Sequence, residues 1–357
     1  QRRTKKAKLV AMCHNTGMLK VAINGFGRIG RAFFRLAEVN PALEIVAIND
    51  LGDAENFAYL LRRDSVYGPA PFSVGFEEGA IIANGRKVKF ISEREPVKLP
   101  WRDMEIDVVV ESTGIFESYE KAKAHLDAGA KRVVISAPAK GDPPEGVTGA
   151  MVLMSINEEK LKTCDISSNA SCTTNAGSPL IAILDEMLGI EKALLNTVHA
   201  YTGTQALVDG PAKNDHLRGR AAAANIVPSS TGAAKATGKV LPNVDGKFDG
   251  VSIRIPIPVG SIADITFVAK RDTTVEEVNR ILLKASKEKR WEGIYTASEE
   301  PLVSSDIVGD THAAIADLSL TRVVGGNLVK VFSWYDNEMG YANTLVRHVI
   351  ETGKYVS

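Results

Sequence analysis

The apolar positions of this chain fall in short runs whose period changes at each turn. Leu19 to Asn24 is a compact, mostly apolar run that stops at a glycine, and the residues beyond Gly30 keep apolar side chains at helical spacing through Val39. A strand followed by a helix is predicted there. The exchange recurs, with Leu43 to Asn49 reading as a strand, Asp53 to Arg62 as a helix, Asp107 to Glu111 as a strand, Glu117 to Ala128 as a helix and Lys131 to Ser136 as a strand. Such alternation predicts a parallel sheet wound on both faces. A meander interrupts it: Phe72 to Phe76 and Lys87 to Ile91 read as short strands around Asn84-Gly85, a dipeptide suited to a hairpin turn with positive φ at both central residues.

The second half has longer strands. The nearly continuous apolar run from Pro179 to Leu188 predicts a buried helix, Ala193 to Val198 a strand, and Ala233 to Val240 a short helix. Further strands are predicted over Val251 to Pro256, Ala263 to Lys270, Ala313 to Leu318 and Leu328 to Trp334, suiting an antiparallel sheet with helices on one face. The expected fold class is α/β, a doubly wound parallel-sheet domain joined to an α+β domain with a mostly antiparallel sheet. No internal repeat or low-complexity tract interrupts either half.

Composition narrows the functions. The 357 residues are 45% hydrophobic with a formal net charge of zero, enough for two moderate cores and without the basic excess that nucleic acid requires. No apolar run is long enough to span a bilayer. Cys13, Cys164 and Cys172 give neither a paired framework nor a metal spacing, which points to a reducing, cytoplasmic setting and to no metal. Residues 1–17 carry Arg2, Arg3, Lys5, Lys6 and Lys8 with no acid, and are expected to be a disordered or non-native extension. A remnant of organelle targeting is the alternative, weakened by having only Thr4 and Thr16 as hydroxyl residues.

Two motifs carry chemistry. Gly25-Phe26-Gly27-Arg28-Ile29-Gly30 sits between the first strand and its helix, where glycines permit a tight turn and the close approach of a pyrophosphate, and the helix N-terminus supplies N–H donors. Asp50 ends the second strand where an acid holds a ribose hydroxyl, the arrangement of a Rossmann-type dinucleotide site, and a carboxylate there disfavours the extra phosphate of NADP. The second motif is Ser168-Asn169-Ala170-Ser171-Cys172-Thr173-Thr174-Asn175, one thiol among hydroxyls at the head of the apolar helix. A helix N-terminus favours thiolate over thiol. His199 ends the strand that follows, and a helix plus a return strand is enough chain to bring the two together as nucleophile and base.

With these residues in view, the chain from about Met18 onward resembles the phosphorylating glyceraldehyde-3-phosphate dehydrogenase family. The likeness rests on Ala22 to Arg31, Ser168 to Asn175, His199-Ala200-Tyr201-Thr202, Ser230 to Lys235 and Ser333 to Tyr341, in that order. It implies an NAD-binding domain over 18–168 completed by a C-terminal helix within 336–357, and a catalytic domain over 169–335. It also implies Cys172 as nucleophile and His199 as base. Thr202 and Arg254 fall on the substrate's phosphate, and Ser171, Thr173, Arg218, Thr231 and Gly232 around the attacking inorganic phosphate. For NAD it implies Gly25, Gly27, Arg28, Ile29 and Gly30 at the pyrophosphate, Asp50 at the adenosine ribose, Arg94 on the adenine side, Ser136 in the cofactor site and Asn337 at the nicotinamide carboxamide. Pro211 matches the NAD-type version of a loop that approaches a neighbouring subunit, and a homotetramer is implied.

The chemistry follows from the residues as well. An aldehyde releases hydride only after a thiolate has converted it to a thiohemiacetal, and the resulting thioester stays activated for attack by phosphate. Two departures bear on this. Ala176 replaces a second Cys common four residues after the nucleophile, and Ile257 and Gly260 stand near Arg254 where the family often has Thr and Asn or Ser. Erythrose-4-phosphate dehydrogenase, which hydrolyses its thioester, is the nearer rival. An aspartate-semialdehyde-type dehydrogenase and a nucleic-acid-binding scaffold are more distant.

Overall fold

The computed structural model describes residues 17–212 and 215–356. The basic N-terminal stretch and Cys13 lie outside them, except Gly17.

Among the described residues there are seven α-helices: α1 (Arg28–Ala37), α2 (Ala54–Arg62), α3 (Tyr119–Asp127), α4 (Cys172–Leu188), α5 (Ala233–Val240), α6 (Val275–Ala285) and α7 (Met339–Gly353). The first sheet runs, in spatial order, Gly149–Met151, Ile166–Ser168, Arg132–Ile135, Val108–Glu111, Leu19–Asn24, Leu43–Asn49, Arg86–Ile91, Ala80–Ala83 and Val74–Glu77. Its first seven strands are parallel and its last two antiparallel. From Leu19–Asn24 the chain winds first to one side and then returns to the other, so the strand order reverses beside Gly25. A crevice opens at the strands' C-terminal ends at such a point.

Alternation puts Val21 and Ile23 against Phe33, Phe34 and, from the far end of the chain, Leu345, Val346 and Val349 of α7. Ala22 and Val109 face the opposite core with Trp101 and Ile106. The sheet is thus covered on both sides, as the doubly wound expectation requires. Helix α7 begins at Met339 rather than Asp336, because the Asp336 carboxylate accepts the N–H groups of Glu338 and Met339 and holds that stretch as a turn.

The meander differs from expectation. The Asn84-Gly85 turn has φ of 50° and 78°, as its composition predicts, but it joins Arg86–Ile91 to Ala80–Ala83 and not to the strand near Phe72. A second two-residue turn, Glu78-Gly79 with Gly79 at φ 75°, pairs Ala80–Ala83 with Val74–Glu77. Four consecutive apolar residues give no alternation, which hid this strand.

The second sheet has the order Val227–Ser230, Phe248–Ile255, Ile190–Ala200, Ser261–Ala269, Leu328–Tyr335, Ala314–Asp317 and Tyr295–Ser298, with Arg322–Val324 also on Leu328–Tyr335. It is mostly antiparallel, but Ile190–Ala200 with Phe248–Ile255 and Tyr295–Ser298 with Ala314–Asp317 are parallel pairs. Helices α4, α5 and α6 cover one face, and Leu194 and Val251 stay exposed. Cys172 packs against the cores of both sheets.

Candidate active site

Ser168 ends a strand of the first sheet, and four residues later α4 begins on the second. The chain makes this step through Ala170, a non-glycine residue at φ 56°. A side chain in the left-handed region costs about 1 kcal/mol or more and needs support from its surroundings. Ser171 then caps α4, its Oγ accepting Thr174 N–H at 3.1 Å and lying 2.7 Å from Thr174 Oγ1. Cys172 is the first helical residue, half-buried, at the junction.

His199 comes from the strand Ile190–Ala200, and its Nε2 lies 3.3 Å from Cys172 Sγ. In the parallel pairing, His199 is registered with Arg254, so the two side chains emerge side by side. Arg254 Nη1 is 2.6 Å from His199 Nδ1, which is also 2.7 Å from the Ala200 carbonyl. A carbonyl only accepts and a guanidinium only donates, so Nδ1 serves one at a time. With its proton on the carbonyl, Nε2 is a bare acceptor facing sulfur; with Arg254 on Nδ1, Nε2 carries the proton. Arg254 Nη1 can take the same carbonyl at 3.1 Å. Tyr335 closes the floor, edge-on to the imidazole at 5.8 Å between ring centroids, with its hydroxyl 3.0 Å from Thr173 Oγ1 and 2.7 Å from Thr197 Oγ1.

The electrostatics correct one expectation. Burial pushes the Cys172 thiol up, against the opposing pull of Arg254 and of the Thr173 hydroxyl and N–H, and the balance is upward. Burial thus opposes the helix N-terminus and the guanidinium at this sulfur. His199 is held down to about 3 by burial and then by the Arg254 charge. An imidazole held down in this way, with Nε2 3.3 Å from Sγ, is placed to accept a proton.

The residues expected at the anion sites have the following partners. Thr202 Oγ1 is 3.0 Å from Thr204 Oγ1, which Arg218 Nη1 approaches at 3.4 Å, so Thr202 and Arg218 share a cluster. Arg218 also donates to Ser229 and pairs with Asp215. Thr173 turns its hydroxyl inward to Tyr335, and Thr231 Oγ1 accepts Ala233 N–H at 3.2 Å at the head of α5. Gly232, the N-cap of α5, faces open space.

The crevice of the first sheet fits a dinucleotide. Gly25 has φ 95°, and a Cβ there would lie 2.5 Å from Thr113 N; a Cβ on Gly30 would lie 2.2 Å from Gly25 O. Gly27 has no neighbour within 4 Å of its Cβ position and, as N-cap of α1, carries no capping side chain. Free N–H groups at a helix N-terminus facing open space suit a pyrophosphate. The Arg28 side chain is turned away, bonded to Asp64 at 2.5 Å and to Glu338, leaving only its backbone and that of Ile29 for the phosphate. Asp50 accepts the N–H groups of Phe26 at 2.7 Å and Gly52 at 3.0 Å. Arg94 is exposed, and Ser136 follows the strand Arg132–Ile135, its N–H on Glu111 O.

Asn337 is tied to the strand pair that carries His199. Its Oδ1 accepts from Gly260 N–H at 3.2 Å and from Ser261 Oγ at 3.0 Å, and Ser261 Oγ accepts Ala200 N–H, next to His199. Gly260 has φ 95° with a would-be Cβ 2.6 Å from Ser304 O, which explains glycine at this position. Sequence reasoning missed Tyr335 and Ser261. Tyr335 lies inside the Ser333 to Tyr341 motif, which was the available signal; Ser261 had none.

Both halves of the chain are similar to known proteins. Residues 19–119 match the model of the glyceraldehyde 3-phosphate dehydrogenase NAD binding domain, and residues 171–337 that of the glyceraldehyde 3-phosphate dehydrogenase C-terminal domain. Among curated relatives, a glyceraldehyde-3-phosphate dehydrogenase of Mycobacterium avium is 50% identical over 94% of this chain and 99% of its own length. One of Thermotoga maritima is 50% identical over 92% of this chain and 97% of its own.

Proposed function

The chain belongs to the glyceraldehyde-3-phosphate dehydrogenase family, and from that premise we propose how its own residues carry out the reaction. The activity is the NAD-dependent, phosphorylating oxidation of glyceraldehyde 3-phosphate. The observation that carries the assignment of roles is the 3.3 Å approach of Cys172 Sγ to His199 Nε2, with Arg254 against the other ring nitrogen.

Arg254 and Thr202 bind the substrate's phosphate, drawing the guanidinium off Nδ1 and leaving that proton on the Ala200 carbonyl. Nε2 is then free to accept. Cys172 Sγ bonds to the aldehyde carbon while the S–H proton passes by way of Nε2 to the carbonyl oxygen, giving a thiohemiacetal. NAD, held by the Gly25–Gly30 loop, the N-terminus of α1, Asp50, Arg94, Ser136 and Asn337, supplies the acceptor for the hydride. His199 Nε2 takes the hydroxyl proton at that stage, and the carbon remains on sulfur as a thioester. Inorganic phosphate, oriented by Ser171, Thr173, Arg218, Thr231 and Gly232, attacks the thioester carbon; the C–S bond breaks and Sγ leaves with its electron pair, taking back the proton held on His199 Nε2. The product is the acyl phosphate, 1,3-bisphosphoglycerate.

The working form we infer is a homotetramer, supported by large apolar side chains left at the surface, Leu194, Leu207, Val208 and Ile226 among them. No helix among the described residues is long and apolar enough to cross a membrane. A nucleophile that must stay a free thiol suits the reducing cytoplasm.

Initial rates with glyceraldehyde 3-phosphate, with and without inorganic phosphate and with NAD and NADP in turn, test this reading. Phosphate-dependent acyl phosphate formation with preference for NAD is expected; phosphate-independent release of the free acid would favour the erythrose-4-phosphate type.

A further inference from the structure

Helix α7 carries a buried polar stripe, Thr344, His348 and Thr352, at a spacing of four. Thr352 returns its hydroxyl to His348 O, the ordinary way for a threonine to be satisfied within a helix. Thr344 likewise donates to Tyr341 O at 2.8 Å, but its Oγ1, like the His348 ring, also meets the segment that leads into Cys172. His348 and Asn169 are both 0% exposed. His348 Nδ1 lies 3.1 Å from Asn169 Oδ1 and Nε2 lies 2.7 Å from Ser167 Oγ. The amide oxygen only accepts, so Nδ1 carries the proton and Nε2 accepts from the serine hydroxyl. Asn169 Nδ2 donates to Thr344 Oγ1 at 3.0 Å.

Every polar group of Asn169 is thereby engaged. Its N–H donates to Ile135 O at 3.0 Å, and its carbonyl accepts Asn175 Nδ2 at 2.8 Å. Tyr341, also on α7, donates to Ala170 O at 3.1 Å. These bonds bracket Ala170, whose left-handed backbone needs external support, and Cys172 lies two residues further on. None of them touches a reacting atom.

We propose that His348 is a positioning residue for Cys172: by orienting the Asn169 amide it fixes the left-handed turn at Ala170 and so the placement of Sγ against His199. The proposal rests on the reading of Cys172 as nucleophile. A displacement of the order of 1 Å at a reacting atom lowers a rate by up to about a hundredfold, which makes a remote hydrogen bond to this turn visible in kinetics. A residue that only filled space in α7 would tolerate leucine, which has similar bulk.

The test compares His348→Leu, which loses both bonds, with His348→Asn, which keeps a donor at the Nδ1 position and so the bond to Asn169. The readouts are the rate of Cys172 alkylation by iodoacetamide, located by peptide mapping, together with kcat and KM, all on protein whose folded fraction is set by circular dichroism. His348→Leu is expected to alkylate about tenfold more slowly and to lose about tenfold in kcat with KM for both substrates within about twofold. His348→Asn is expected to recover most of both. Wild-type alkylation and kcat in a folded His348→Leu, or equal losses in the two variants, overturn the proposal. If His348→Leu does not fold, Thr344→Val, which removes the acceptor for Asn169 Nδ2 together with that hydroxyl's own bond to Tyr341 O, stands in: about a threefold loss of alkylation rate is expected, and an unchanged rate overturns the proposal. Failure of wild-type protein to label at Cys172 would instead overturn the reading of the nucleophile, which keeps the two failures apart.

Discussion

Lowering the pH from 7.5 to 5 sets protons against His348, and the size of the effect follows from its environment. The ring is fully buried among neutral partners, and burial holds it down to about 3. An unfolded histidine titrates near 6.5. Below that value the unfolded chain takes up a proton that the folded chain refuses, so the contribution is complete above pH 6.5 and is lost as the pH falls toward 3. At pH 5 the loss from this one ring is about 2 kcal/mol, and at pH 7.5 it is close to zero. His199, also held down to about 3, adds a loss of the same direction and order. Urea unfolding at fixed protein concentration, at pH 7.5 and pH 5, should show His348→Leu losing about half as much stability from these two rings as the wild-type chain. The comparison is of the change with pH within each chain, since His348→Leu leaves Ser167 and Asn169 short of partners at every pH. Equal losses in both chains would refute the reasoning, because the ring would then not be resisting protonation.

Three further outcomes are expected. His199→Asn should lower kcat by about 10²- to 10⁴-fold, the usual weight of a general base, with Cys172 still present to be alkylated; stopped-flow absorbance of NADH measures it, and a change under fivefold would remove His199 from the reaction. Gly27→Ala should leave the apo protein as stable as wild type, because nothing lies within 4 Å of its Cβ position, yet weaken NAD binding about tenfold or more by filling the space for the pyrophosphate; calorimetric titration and a thermal melt separate the two effects. Asp50→Ala should raise the ratio of kcat/KM for NADP to that for NAD at least about tenfold, while also loosening the loop, since the carboxylate holds Phe26 N–H at 2.7 Å.

The first sheet was largely legible because each of its central strands ends in a sharp signal, a glycine turn after Asn24 and an acid after Asn49, and each is followed by a helix of regular period. Ala80–Ala83 was not, since four apolar residues between two-residue turns carry no period at all. The Cys172 loop was legible as local chemistry: a thiol, hydroxyl neighbours and an apolar helix lie within twenty residues. The company kept by His199 was not, because it depends on strand pairing across 55 residues. Only the parallel register of Ile190–Ala200 with Phe248–Ile255 sets Arg254 against the imidazole, and a slip by one residue would turn Arg254 to the other face. The upward balance at Cys172 was hidden for a related reason. Sequence gives the helix N-terminus that lowers a thiol, whereas the burial that raises it comes from two cores closing together.

That closure is also what lets one cysteine serve two sheets. The dinucleotide crevice belongs to the first sheet, at the switch beside Gly25, while the base and the guanidinium belong to the second. With Cys172 as the proposed nucleophile, neither sheet alone holds a complete site, so the sulfur sits on the seam, and the proposed chemistry needs that seam rigid to within a fraction of an ångström. Helix α7 meets that requirement from the far end of the sequence: its apolar face joins the first core through Leu345, Val346 and Val349, and its polar stripe grips Asn169 at the entry to the Cys172 loop. Asn337 and Asp336, just before the same helix, hold Ser261 and Gly309 of the second half and Tyr67 of the first. On the proposed reading a strain on α7 reaches Cys172 through Asn169 and the His199 strand through Asn337 and Ser261, and substitutions in its buried stripe should lower kcat before they impair the binding of either substrate.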